Sequence, residues 1–446
     1  MRKFRLIALF LLVSLLLAAC SSGSPAVLSD GHELPETLSK GFCPSVGKVR
    51  IPVIPIGFPG EAFTPDMLVA LKVALNSEAP GSKTSGGAAG SVASFYRQSS
   101  YGKLELSFDV LPTVSLLSPS FLEALRFRLS GAASVDSILS RAMKKLDKTV
   151  DFSEYDSNGD GLLDGAILIY AHPETEDYET MKSLWWSWFD YSVREETFDG
   201  VKPMGYLWSS AYSLMSLSAF SMTDEIDPYI LIHEAGHLFG LEDYYDTDPT
   251  AGTAGGLGYF DIMDSNFGDH APFSKYQLGW IEPTVITGEG IYEIRDFSTA
   301  GETLLFPFGE QFEGFGSEYV MLDLFTPAGL GVLAPYWFGI ETPVVRAFQV
   351  DARLETGLRL DQYENLNGFY YVNNSTTPYK LLSYIEADGN DSLTKEDAAA
   401  APDDFFTKGS VLAGVKSHTG VALPYVIRVL SIENGVARIK VSRAAG

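Results

Sequence analysis

Cysteine is nearly absent from this chain. Cys20 and Cys43 are the only two in 446 residues, which rules out a disulfide framework. Stability therefore has to come from core packing and from bound metal ions. Positive charge is scarce as well: 32 Lys and Arg stand against 57 Asp and Glu, a formal net charge of −25. Such a surface repels phosphate backbones, so nucleic acid is not expected as a partner. It suits an extracellular protein that binds cations. Beyond the N-terminus no run has the length and apolarity of a membrane-spanning helix, and no internal repeat is visible. Histidine is rarer still, with six residues, so any pair at ligand spacing stands out. With 46% hydrophobic residues the chain can bury a large core, in roughly two or three domains.

The N-terminus reads as an export signal. Arg2, Lys3 and Arg5 precede an apolar run from Leu6 to Leu17, broken only by Ser14 and too short for a permanent span. Leu17-Ala18-Ala19-Cys20 then resembles a bacterial lipobox, with cleavage after Ala19 and lipid on Cys20. Loss of the three basic residues would take the net charge from −25 to −28. The expectation is a signal peptide over 1–19 and a lipid-anchored tether over 20–46. The protein would then be an exported cell-envelope lipoprotein, held on the outer face of a bacterial membrane through Cys20. An ordinary secretory signal with a chance cysteine is the alternative.

Apolar, β-prone runs predict strands over 49–58 and 165–171, and an apolar/polar alternation predicts one over 103–110. Hydrophobic periodicity predicts helices over 65–76, 91–97 and 228–239, and one or two more within 121–147. Residues 82–90, rich in Gly and Ser, read as an exposed loop. After about residue 290 short alternating stretches follow, such as 319–325, 346–350 and 436–441. The boundary is accordingly placed between 47–290 and a β-rich 291–446.

The sharpest motif is HEAGHLFGLED at 233–243. On a helix begun by Asp227 and Pro228, His233 and His237 stand four apart and share one face, where two imidazoles can chelate one zinc ion. Glu234 is placed to take a proton from zinc-activated water. Gly240 can end the helix at positive φ, and the returning chain offers Asp243 as a third ligand. Three protein ligands and one open position mark a catalytic zinc site. The bland alternative is a core helix with two satisfied histidines; Glu242, Asp246 and Asp248 compete with Asp243 for the ligand role.

A second motif runs Asp156-Ser-Asn158-Gly-Asp160-Gly-Leu162-Leu-Asp164. Asp156, Asn158, Asp160 and Asp164 fall at positions 1, 3, 5 and 9 of an EF-hand-like loop, Leu162 at position 7 and Gly161 at the turn. The twelfth position is Ile167 rather than Glu. A calcium-stabilised loop is expected, against a plain polar turn. Asp388-Gly-Asn-Asp391 is a shorter acidic turn with a weaker claim.

Several segments together resemble the immune inhibitor A type metallopeptidases, family M6, within or near the metzincins. They are SVASFYRQSSYGKLELSFDV (91–110), DSNGDGLLDGAILIYAH (156–172), HEAGHLFGLEDYYD (233–246), GYFDIMD (258–264) and FSKYQLGWI (273–281), with looser ones out to 410. The resemblance implies an α+β protein: an α/β-type zinc peptidase domain with a central twisted sheet and an active-site helix, then a mostly β C-terminal region. It implies protein or peptide substrates, and a tight turn at Ile262-Met263 with Met263 as the floor beneath the zinc. Ala235 departs from the bulky residue that relatives often carry after the HE pair. No long inhibitory pro-segment is evident. Cys43 could block the metal as a thiolate, but an inert buried thiol is the plainer reading. Tyr276 and His270 are weak candidates for an oxyanion donor. Two rival functions remain open: a non-catalytic surface lipoprotein on a related fold, and a zinc amidase acting on cell-wall peptides. Nothing bears on oligomeric state.

Mass spectrometry of the membrane fraction should find the mature protein beginning at a diacylated Cys20, and Cys20→Ala should abolish that species. Wild-type protein found only in the medium with an unmodified N-terminus would dismiss the anchor.

Overall fold

The structure, a computed structural model, describes residues 43–78, 90–116, 131–172, 187–192, 194–217, 226–248, 250–253, 255–265, 268–309, 312, 314–353, 373–395 and 398–444. The signal peptide, Cys20, most of the tether and most of the Gly/Ser-rich loop lie outside the described residues.

The first half of the chain forms a six-stranded sheet. β1 (Gly47–Gly57), β2 (Leu104–Val110), β4 (Ala166–Tyr170), β5 (Trp188–Tyr191) and β6 (Gly205–Ser210) run in the order β2-β1-β4-β6-β5, and β3 (Val114–Ser115) joins the end of β1. All pairings are parallel except that of β5, which lies antiparallel against β6 at the edge. The continuous apolar character of β1 and β4 follows from burial on both faces. Val49, Ile51, Val53, Ile167, Ile169 and Leu207 point into one core, and Ile54, Ile56, Leu168, Tyr170 and Trp208 into another.

Helices cover both faces. α1 (Pro65–Asn76) starts where Thr64 accepts the Met67 N–H, and α2 (Val92–Ser99) starts in a capping box between Ser91 and Ser94. Both lie on the first face with α5 (Tyr229–Leu238), which follows α4 (Ala211–Leu217). α3 (Gly131–Leu146) packs across the second face through Val135, Ile138, Leu139, Ala142 and Met143.

Beyond α6 (Ile262–Ser265) and α7 (Pro272–Gln277) the chain becomes predominantly β. β7 (Thr284–Val285), β9 (Thr303–Pro307), β10 (Glu318–Phe325), β11 (Val344–Asp351) and β12 (Leu382–Tyr384) form a five-stranded sheet, antiparallel apart from β7 against β9. β8 (Gly290–Arg295), β13 (Val411–Leu412), β14 (Tyr425–Glu433) and β15 (Val436–Arg443) form a four-stranded antiparallel sheet. The five-stranded sheet is the shared middle layer. Tyr319, Met321, Phe348 and Val350 enter the same core as α5, whereas Val320, Leu322, Val345 and Ala347 face the four-stranded sheet.

The expected α+β class is met, and the predicted strands and helices appear with their ends moved by one or two residues. Of 121–147, the described part is helical from Gly131. Strands β5 and β6 were not anticipated. No helix among the described residues is long and apolar enough to cross a membrane.

Buried ion pairs tie the layers together. On the core-facing side of the middle sheet, Asp323 and Arg346 sit opposite each other in register and form a two-pronged pair, with Nε to Oδ1 at 3.0 Å. Arg346 also lies over the rings of Phe325 and Phe348. Nearby, the fully buried Lys275 bonds Asp269 at 2.7 Å. Breaking either pair by removing one partner would leave a buried charge uncompensated.

Candidate metal centre

α5 is buried almost all round, with Tyr229, Leu231, Ile232, His233, Glu234, Ala235, Gly236 and Leu238 all inside. Asp227 accepts the Tyr229 N–H at 3.1 Å, so it does serve the first turn. Ala235 is fully buried in the first core, where a larger side chain would need space that the packing does not leave. The helix stops at Gly240, whose φ of 83° suits glycine. Gln277 Nε2 then donates to the Gly240 carbonyl at 2.9 Å and fixes the reversal.

This reversal brings Asp243 back to the two histidines. Its Oδ1 lies 3.0 Å from His233 Nε2 and 3.4 Å from His237 Nε2. Each Nδ1 faces a backbone carbonyl, His233 toward Ile262 O at 2.9 Å and His237 toward Leu241 O at 2.8 Å. A carbonyl only accepts, so both Nδ1 atoms carry the proton and both Nε2 atoms turn toward Asp243. Either one or both Nε2 atoms are also protonated and pair with the carboxylate, or a cation sits among the three atoms. Asp243 is held in its charged form. Burial opposes it, yet the imidazoles hold Asp243 far below the ordinary carboxylate range. Burial likewise opposes a charged His237, yet Asp243 raises it to about 9.

The donor set fits zinc. A tetrahedral ion with ligand bonds of about 2.0–2.1 Å places its ligands about 3.3 Å apart, close to the two separations seen. The Nδ1–carbonyl contacts are of the kind that orient an imidazole for a metal at its other nitrogen. Asp246 pairs with Lys380 at 2.9 Å and Asp248 caps Thr250, so neither competes with Asp243. Glu234 stands on the same helix, 8% exposed. Burial raises its carboxyl above the ordinary value, and the histidines oppose the shift.

Met263 lies beneath this helix. A Cβ on Gly236 would overlap the Met263 sulfur and approach its methyl to 3.1 Å, so glycine is what allows the turn to sit against the helix. The Met263 carbonyl accepts the Tyr244 N–H at 3.0 Å and so fixes the residue after Asp243. Two aromatic neighbours escaped the sequence reading: the Phe189 ring of β5 stacks on His237 at 5.7 Å, and Tyr245 faces His233 at 6.1 Å. Tyr245 lies two residues beyond the zinc motif, but Phe189 is brought in only by the sheet.

The weaker candidates fall elsewhere. His270 is fully buried against Asp261 and the rings of Phe95, Tyr96 and Trp280, so it is core rather than an oxyanion donor. Tyr276 is buried on α7 against Phe315. Cys43 is buried, its N–H bonded to Leu238 O at 3.1 Å, and burial pushes its thiol well up. That is the environment of an inert thiol.

The 156–164 loop is a tight acidic turn. Asp156 accepts the N–H groups of Gly159, Asp160 and Gly161, Asn158 that of Asp160, Asp160 that of Leu162, and Asp164 that of Ser157. Burial, with Asp156 and Asp160 adding to it, raises Asp164 to about 6. Among the described residues, three groups of His and acidic side chains bring ligand atoms within 4.8 Å of one another, and this loop is not one of them. The other two are Glu318–Asp351–His418, where Arg353 already pairs with Asp351, and Glu386–Asp388–Asp404, where Glu386 accepts from Ser392 and Leu393. No family model matches the sequence, and no curated protein matches it.

The packing of Met263 on Gly236 has a measurable signature. Gly236→Ala should destabilise the protein by about 1–3 kcal/mol through overpacking. In a Met263→Ala background the same change should be neutral or stabilising by up to about 1 kcal/mol, as for an unconstrained helix glycine. Urea unfolding of the four proteins in the cycle measures both; additive effects would mean that the two residues do not touch.

Proposed function

We propose that the chain is a zinc-dependent metallopeptidase, an exported lipoprotein held at a bacterial membrane through Cys20. The observation that carries the reading is the convergence of His233 Nε2, His237 Nε2 and Asp243 Oδ1, with both Nδ1 atoms bound to carbonyls. The sequence resemblance to immune inhibitor A type peptidases supports it. The position of Met263 under Gly236 agrees with that resemblance.

His233, His237 and Asp243 would hold the ion. A zinc ion in such a site supplies Lewis acidity, lowering the pKa of a water toward 7 and polarising a carbonyl. Glu234 provides the base: its carboxylate takes the proton from the attacking water and returns it to the leaving amine. Its burial strengthens the hydrogen bonds it makes with water and substrate. The substrate would lie along β5. Among the described strands β5 pairs with β6 alone, and Phe189 places that edge beside His237. An extended peptide can add to such an edge through main-chain hydrogen bonds, which favours a peptide over a compact substrate. Calcium is proposed for the 156–164 loop, where it would draw Asp156, Asn158, Asp160 and Asp164 together with the Leu162 carbonyl.

Glu234→Gln should keep one equivalent of zinc while lowering kcat for casein or a quenched peptide by about 10²–10⁴-fold. Near wild-type turnover in that variant would remove Glu234 from the mechanism. Calcium should raise the melting temperature by binding the native loop and not the unfolded chain, and Asp160→Ala should erase the response. Identical melting curves with calcium and with a calcium-selective chelator would refute the loop assignment.

A further inference from the structure

The zinc helix touches the 261–264 turn at two points, and one of them leads to a buried carboxylate. The peptide unit between Ile262 and Met263 is hydrogen-bonded at both ends. Its carbonyl, Ile262 O, accepts from His233 Nδ1 at 2.9 Å, and its N–H, on Met263, donates to Asp261 Oδ1 at 2.9 Å. We propose that Asp261 is a positioning residue for the metal: its charge acts on His233 through this single peptide plane, forming a carboxylate–peptide–histidine relay. The proposal rests on the zinc reading given above.

The geometry favours this for three reasons. First, Asp261 is fully buried, so water does not screen its charge. Burial opposes ionisation, but His270 and hydrogen bonds from Met263 and Ser274 hold Asp261 below the ordinary carboxylate range. Second, its orientation is over-determined. Oδ2 accepts the Ala271 N–H at 2.7 Å and the Ser274 hydroxyl at 2.6 Å, and His270 Nδ1 lies 3.2 Å from Oδ1. Third, the neighbouring peptide, between Asp261 and Ile262, is also held, because Ile262 N–H donates to Asp269 O at 3.2 Å. A carboxylate on an amide N–H draws electron density toward the amide oxygen and makes it a better acceptor, as in other hydrogen-bond chains. The Nδ1 proton of His233 is then held more firmly and Nε2 becomes a better donor to a metal. This is the effect of a carboxylate bonded directly to a ligating histidine, exerted here across one amide. His237 differs, since its Nδ1 faces the Leu241 carbonyl, so the two histidines are not equivalent.

The test uses the full mature chain and zinc or cobalt as probe. Asp261→Asn keeps the shape but replaces one acceptor by a donor and removes the charge. It should weaken zinc binding, measured by chelator competition, by about 10- to 100-fold and shift the visible absorption of the cobalt form. Ile439→Ala is the control; that residue is fully buried in the core between the last two sheets, so the change should lower stability with zinc affinity unchanged. Asp261→Asn binding zinc within twofold of wild type would overturn the proposal. If that variant does not fold, the metal-free wild type decides by nitrogen-15 NMR: Nδ1 of His233 should carry a proton, whether the ring is neutral or doubly protonated, and the Met263 amide should resist exchange. A bare Nδ1, or a freely exchanging Met263 amide, overturns the relay. Wild type that takes up no zinc, with Nδ1 protonated as expected, would instead sink the metal reading and leave the hydrogen-bonded chain standing.

Discussion

The carboxylate of Asp261 is the point at which three separate segments are joined. It accepts the N–H groups of Met263 and Ala271 and the Ser274 hydroxyl, so the 261–264 turn cannot move independently of α7. The turn in turn holds α5 through His233 and Gly236, and the loop after Asp243 through the Tyr244 N–H. A charge placed so deep is costly unless every lone pair finds a donor, and here the donors come from the turn itself and from the start of α7. Formation of the site and formation of this core are therefore a single event. Asp264 does the same on the other side of the turn, accepting from Leu257 and Tyr259, and leaves no room for a Cβ on Gly256.

Much of the site was legible in the sequence because helical geometry is fixed. Four residues always separate neighbours on one face, so His233 and His237 declared a shared face before any fold was known. Gly240 and Asp243 followed from the need to end the helix and return. β1 and α1 were equally plain, β1 as an unbroken apolar run and α1 by its helical period. What stayed hidden is non-local. Asp261 sits in a segment whose resemblance was noted, yet its partners are 10 and 13 residues away in sequence and its addressee is on another helix. Phe189 reaches His237 only because β5 pairs with β6. His270 looked like a site residue by type, but its 0% exposure shows that histidine identity alone says little.

With no disulfide in the described core, charge pairs take over the work of registration between segments. Lys380 joins Asp246, just past the ligand loop, to the segment that precedes β12. Lys275 joins α7 to Asp269 and meets the hydroxyl of Tyr101 at 3.2 Å. Asp323 and Arg346 fix β10 against β11 from inside the core. Such pairs add little net stability compared with well-packed apolar residues. They do penalise every misaligned arrangement, since a one-residue slip would strand a charge in the interior.

The described chain starts at a set of clamps. The Cys43 N–H bonds the last turn of α5, Ser45 Oγ bonds Leu278 O, and Trp280 Nε1 bonds Ser45 O at 2.7 Å. β1 follows at once, flanked in parallel by β2 and β4. Tension arriving along the preceding segment would meet these clamps first and then load β1 along its own axis. Its ladder bonds on both sides would share that load in shear, instead of parting one by one as in a peeled hairpin. A protein leashed by its N-terminus to a moving surface would be gripped at a strand paired on both sides, with α5 only one hydrogen bond from the leash.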